Sequence, residues 1–292
     1  MQFKGTGVAL VTPFSQNGKV DVEGLRKLVR LQISGGTDFL VVQGTTAETA
    51  TLNTFEKKEV LKIIIEENKG KLPIVLGMGG NNTAAIVEEI KSFNSEGVDG
   101  FLSVSPYYNK PSQEGIYQHF KQLSKASSLP IIAYNVPGRT GSNMTASTTL
   151  RIAELDNIVA IKEASGNMEQ VMEIIQHAPQ DFAVLSGDDA LTLPIIALGG
   201  HGVISVVANA FPERFSQMLN ASLNNDFDAA RKAHYSLLDV THQFFAEGNP
   251  AGVKVALQVR GICENVLRLP LTTVSKTLED QIILETKKIV NQ

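Results

Sequence analysis

The sequence predicts an α/β fold, a (β/α)8 TIM barrel with a C-terminal helical extension. Three observations carry this reading. Short apolar runs rich in β-branched residues alternate with amphipathic stretches at a spacing of roughly 20–35 residues, which suits parallel crossover units. Eight such units follow one another, a number that fits a closed ring better than an open doubly wound sheet. No Gly-x-Gly-x-x-Gly follows the first run, which weighs against a dinucleotide-binding fold.

The predicted strands are Gly7–Val11, Phe39–Gln43, Ile74–Gly77, Gly100–Val104, Ile131–Asn135, Ile158–Lys162, Phe182–Ser186 and Gly202–Ser205. Gly or Pro recurs in the loops before them, as in Gly35-Gly36, Leu72-Pro73, Gly97, Leu129-Pro130 and Gly199-Gly200. Between strands, Val22–Ile33 and Phe55–Glu67 carry apolar residues three and four apart with charges opposite, the pattern of a helix with one buried face. A polar stretch, Ser222 to Asp226, then ends the alternation. From about Asn225 onward the chain reads as entirely helical, over Ala229–Phe245, Ala251–Glu264 and Thr277–Ile289. Residues 1–224 are therefore expected to form the catalytic barrel, and residues 225–292 an extension packed on it.

Composition bounds the function. Hydrophobic residues are 43% and charged residues 19% of 292, ordinary values for a globular enzyme. A net charge of -4 with no Lys/Arg cluster argues against a nucleic-acid partner. No apolar stretch is long enough to cross a bilayer, and the Met1-Gln2-Phe3-Lys4-Gly5 start has no signal-peptide core. One cysteine, Cys263, permits no intrachain disulfide and fits a reducing compartment. A cytoplasmic protein is expected.

In such a barrel the C-terminal ends of the strands build the active site. Lys162 closes the run Asn157 to Ile161, and Tyr134 stands at the same place one unit earlier. If the strands are neighbours, amine and phenol face one pocket. Burial disfavours the ammonium of a lysine, whose ordinary pKa is ~10.4. A neutral amine attacks a ketone to form a Schiff base; the alternative is a strand-end lysine paired with a carboxylate. Tyr134 either moves protons for that imine or only packs its ring. Thr45 and Thr46 lie on a Gly-led turn that binds a carboxylate or caps itself. Arg139, held by a Pro-Gly turn, takes a carboxylate bidentately or is a solvated loop arginine. Asp188-Asp189 reads as a helix cap rather than an acid/base pair. His119, His177, His201, His234 and His242 show no metal-ligand spacing, so no metal is expected. Cys263 reads as an inert buried thiol in a helix.

The segments Gly44-Thr45-Thr46-Ala47-Glu48-Thr49-Ala50, Tyr134 to Thr140 and Ile161-Lys162-Glu163-Ala164-Ser165-Gly166 resemble the dihydrodipicolinate synthase family. That family belongs to the pyruvate-dependent aldolase group, together with N-acetylneuraminate lyase, and the resemblance runs from Gly5 through Pro250. It implies that Lys162 forms a pyruvate Schiff base, and that Tyr134, Thr45 and Tyr108 relay protons. Tyr108 would come from a neighbouring subunit, so self-association as a dimer or tetramer is implied. Thr46 and the backbone of Ile204 would hold the pyruvate carboxylate, and Arg139 the carboxylate of L-aspartate 4-semialdehyde. The implied reaction needs no cofactor and gives 4-hydroxy-tetrahydrodipicolinate, on the way to diaminopimelate and lysine. The competing reading is a lyase of N-acetylneuraminate or a 2-keto sugar acid using the same imine; Arg139 speaks for the synthase. A non-catalytic keto-acid-binding protein is the alternative from another class.

Two departures stand out. Ala47 replaces the usual glycine of the Gly-Thr-Thr-Gly-Glu form. Lysine-sensitive members carry a glutamate and histidines where this chain has Ala85, Thr54 and Lys57, although Asn81 and Tyr107 are retained. Weak or absent inhibition by lysine is the implied result.

Overall fold

Side chains alternate between the two faces of a strand, and here both faces are covered, so the strands are apolar throughout. The computed structural model describes residues 3–291, so Met1, Gln2 and Gln292 lie outside it. Eight parallel strands close into one barrel in chain order: β1 (Gly5–Ala9), β2 (Phe39–Val42), β3 (Ile74–Gly77), β4 (Gly100–Val104), β5 (Ile131–Asn135), β6 (Ile158–Glu163), β7 (Ala183–Ser186) and β8 (Gly202–Ser205). The ring shuts where Gly5 to Val8 pair with Gly202 to Ser205. Helices lie between the strands, and many open on a side-chain oxygen that takes up an otherwise unpaired N–H. Asp21, Asn53, Asn82, Ser112 and Asn167 all serve this way.

Inward-facing residues fill the ring in layers. Phe3 and Phe39 stop its floor, with ring centroids 5.7 Å apart. Glycines make the room for them: a Cβ on Gly7 would lie 2.2 Å from the Phe39 ring, and one on Gly100 would lie 2.8 Å from Phe3. Above them Val41, Val75, Leu102, Ile132, Leu185 and Ile204 form the middle of the same cluster, and Tyr134 stands at its upper end. Outward-facing residues such as Leu40, Leu76, Ile161 and Val184 pack under the surrounding helices in a second core.

The structure moves several predicted boundaries. β1 spans Gly5–Ala9 rather than Gly7–Val11, because the Val11 N–H leaves the ladder for Asn209 Oδ1, while the Gly5 N–H joins it through His201 O. β2 stops at Val42, since Gln43 turns into the left-handed region at φ 59. β6 runs on to Glu163, which pairs with Asn135 and Ser186. Beyond the barrel, helices cover Phe227–Ala246, Ala251–Val259 and Lys276–Val290. The chain after Asn225 is thus not helical throughout. Ala251–Val259 ends short of the predicted Glu264, with Gly261 at φ 70, and Cys263 lies past its end rather than within a helix. The irregular stretch that follows lies over the barrel mouth: the Arg268 N–H reaches Glu48, and Pro270 and Leu271 line the cavity there. No described helix is long and apolar enough to cross a membrane.

Candidate active site

The register of β5 on β6 decides the centre of the site. Tyr134 pairs directly with Lys162, and both sit near the C-terminal ends of their strands. Lys162 Nζ lies 4.3 Å from the centroid of the Tyr134 ring. Lys162 is only 6% exposed and Tyr134 7%. Burial therefore pushes the Lys162 amine down to about 8; the field of Asp189 opposes this and that of Arg139 adds to it. Burial pushes the Tyr134 phenol up to about 12, with Arg139 pulling down and Glu163 pushing up. The pair is thus an amine that deprotonates readily beside a phenol that stays protonated. Amine reactivity is expected to climb through about pH 8, read as kcat/KM for pyruvate. In Arg139→Ala this limb moves to higher pH, because a neighbouring cation that disfavours the ammonium is gone. An unmoved limb would show that Lys162 is not the titrating group.

A cavity of about 500 Å³ opens above this pair, lined by Lys162, Tyr134, Thr45, Arg139, Tyr107 and Asn249 among others. Thr45 begins a 3-10 turn, Thr45–Ala47, that leaves β2. Thr46 lies buried beside the cavity, and its Oγ1 accepts from Asn249 Nδ2 at 2.9 Å. With a lone pair so engaged, the Thr46 hydroxyl proton is left to donate elsewhere. Ala47 is accommodated: its carbonyl accepts from the buried Thr12 hydroxyl at 2.7 Å. Arg139 sits on a one-turn helix, Pro137–Thr140, started by its proline and ended by Gly141 at φ 75. Among the described residues it makes no salt bridge, so its guanidinium faces the cavity without a protein anion. An arginine without an ion-pair partner at the lining of this cavity can take a carboxylate bidentately.

Not every predicted residue reaches this cavity. Ile204 is buried on β8 within the barrel's interior cluster. Tyr108 is 86% exposed at φ 72 and lies outside the cavity, whereas its neighbour Tyr107 lines it. Asp188 does cap a turn, accepting from the Ala190 and Leu191 N–H groups. Asp189 departs from the cap reading. It is buried, accepts from the Ser205 hydroxyl and the Val206 N–H, and burial raises it to about 6. His119 is buried against Thr83 Oγ1, and burial lowers it to about 4. Cys263 is buried and pushed up to about 12.

Sequence reasoning missed a buried ion pair behind the threonine turn. Lys254 Nζ donates to Glu48 Oε1 at 2.5 Å and to Val266 O at 2.8 Å, and both charged side chains are 0% exposed. Glu48 Oε2 accepts from the Arg268 N–H at 3.0 Å. Lys254 and Arg268 each stand 4.4 Å from the Phe14 ring centroid, so one aromatic ring meets two cations. The left-handed Glu48, φ 53, is the local sign that something holds this turn.

Comparison with known proteins gives the chain its family. A model described as the dihydrodipicolinate synthetase family matches residues 2–289. The chain belongs to the dihydrodipicolinate synthetase family. It is 55% identical over 272 residues to 4-hydroxy-tetrahydrodipicolinate synthase of Parabacteroides distasonis, covering 93% of this chain and 92% of that protein. The enzyme of the same name from Flavobacterium psychrophilum is 50% identical over 288 residues, 98% of each chain. Among solved structures, dihydrodipicolinate synthase from Aquifex aeolicus superposes with a TM-score of 0.94 at 42% identity, covering 99% of this chain and 98% of that one. The enzyme from Acinetobacter baumannii complexed with pyruvate gives 0.94 at 39% identity, over 97% of this chain and 98% of that one. The closed barrel is therefore architecture that this chain shares with those solved structures.

Proposed function

We propose that this chain is a Schiff-base-forming lyase that condenses pyruvate with L-aspartate 4-semialdehyde to 4-hydroxy-tetrahydrodipicolinate, in diaminopimelate and lysine biosynthesis. The observation that carries it is the register pair Tyr134–Lys162 beneath an unpaired Arg139. The neutral Lys162 amine adds to the ketone carbon of pyruvate. Tyr134 and Thr45 pass the protons that let water leave, which gives the imine. Thr46 and the Ile204 backbone hold the pyruvate carboxylate. Loss of a methyl proton converts the imine to an enamine, whose carbon attacks the aldehyde of the second substrate. Arg139 keeps that substrate's carboxylate in place. The semialdehyde's own amine then displaces Lys162 from the imine carbon, closing the ring and freeing the enzyme.

The barrel, 1–224, supplies this chemistry, and the extension, 225–292, braces the mouth through Asn249 and Lys254. Tyr108 joins the proton relay of a neighbouring copy in a cytoplasmic dimer or tetramer, and its exposure leaves it available for that role. No metal, nucleic acid or membrane enters the scheme. A lyase of N-acetylneuraminate or a 2-keto sugar acid is disfavoured by Arg139 and by the synthase relatives. Borohydride reduction with pyruvate, followed by peptide mass mapping, should place the adduct on Lys162; no adduct, or one elsewhere, refutes the mechanism.

Lysine should inhibit weakly or not at all. Ala85 supplies no anion for a ligand's ammonium, and Lys57 adds a like charge to the cavity lining. Titrating lysine into the assay checks this, and inhibition at sub-millimolar concentration would sink it.

A further inference from the structure

The residue after Lys162 is a buried carboxylate that touches neither substrate in the scheme above. Glu163 pairs in register with Asn135, as Lys162 does with Tyr134. Alternation turns this second pair to the outer side of the barrel wall. Glu163 Oε2 accepts from Asn135 Nδ2 at 3.0 Å and from Gln170 Nε2 at 3.1 Å, and Oε1 accepts from the Ser165 N–H at 2.6 Å.

Both amides also reach the chain beyond Arg139. Asn135 Oδ1 accepts from the Met144 N–H at 3.0 Å, and Asn135 Nδ2 donates to Asn143 Oδ1 at 2.8 Å. Gln170 Oε1 accepts from Asn143 Nδ2 at 2.8 Å, while Gln170 Nε2 donates to Met144 O at 3.2 Å. The loop that carries Arg139 thus has its entry, Asn135, clasped to its exit, Asn143-Met144. That clasp is fastened to the strand of the reactive lysine through Glu163.

A carboxylate accepts only. Both amides must therefore present N–H to Glu163, which leaves their carbonyl oxygens free for Met144 and Asn143. One acceptor sets the sense of the whole network. We propose that Glu163 is a positioning residue for the second substrate, holding the Arg139 loop at a fixed height over Lys162. This rests on the reading that Arg139 receives the carboxylate of the aldehyde. Glutamine at 163 keeps the size but puts an NH2 where one carboxylate oxygen accepted, so either the Ser165 N–H or the two amides lose their acceptor and the clasp is loosened.

Steady-state kinetics of full-length wild type and Glu163→Gln test this. The KM for L-aspartate 4-semialdehyde should rise about tenfold, the lower range for misplacing a binding group. The KM for pyruvate and the rate of borohydride trapping should stay within about twofold. Equal rises for both substrates, a loss of trapping, or an unchanged KM for the aldehyde would overturn it. Should Glu163→Gln fail to melt cooperatively, Gln170→Ala decides. It removes the Gln170 links to Asn143, Met144 and Glu163 while sparing the strand pair; the same split is expected, and its absence overturns the proposal. A wild type that traps pyruvate but does not turn over the aldehyde would overturn the proposed function itself, and this inference with it.

Discussion

Lys162→Ala should lower kcat/KM by at least about 10⁴-fold, the scale on which removing a covalent nucleophile acts. Tyr134, Thr45 and Arg139 would remain, but they have no covalent intermediate to serve. The barrel should survive the change. At pH 7 the ammonium is held where burial disfavours it, so its removal takes away an unfavourable group rather than a structural link. Circular dichroism and thermal melting separate the two effects: a folded, cooperative variant without turnover and without a pyruvate adduct is the expected result. Retained activity, or an adduct persisting in the variant, would end the Schiff-base account.

Lys254→Met should destabilise the fold by about 3–5 kcal/mol, the cost of leaving one member of a buried ion pair alone. Glu48 would keep only the Arg268 N–H as a partner in a site without water contact. The double variant Glu48→Gln/Lys254→Met should regain most of this, because an amide tolerates burial far better than a carboxylate. Urea titration of the three proteins measures it. A single variant as stable as wild type would show that the pair is not what holds the turn. The damage should also reach function, since Glu48 shares its turn with Thr45 and Thr46.

The barrel was legible because each strand is an apolar run bounded by Gly or Pro. β3, β4, β5 and β8 carry the predicted limits. β1 slid by two residues, because apolarity alone cannot say where the Val11 N–H will exchange the ladder for Asn209. Lys162 and Tyr134 were readable from strand-end position. Glu163 and Asn135 were not: they face outward, and their partners Asn143 and Gln170 belong to a loop and a helix whose approach no local pattern encodes. The partners of Thr46 and Glu48 lie 203 and 206 residues away. Only the closed fold brings such groups together. Tyr108 is a candidate through family resemblance alone, since it lies outside the cavity above Lys162.

The phenylalanine floor has a kinetic consequence. With Phe3 and Phe39 stopping one end, the barrel is a well with a single opening, and Lys162 sits deeper than the exposed Arg139. Whatever reacts at the bottom must descend first, and whatever binds at the rim covers it. If Lys162 takes the keto acid and Arg139 the aldehyde, as proposed, loading is sequential by geometry, keto acid before aldehyde. An early-arriving aldehyde acts as a stopper, so excess second substrate should slow the enzyme unless the first is already bound.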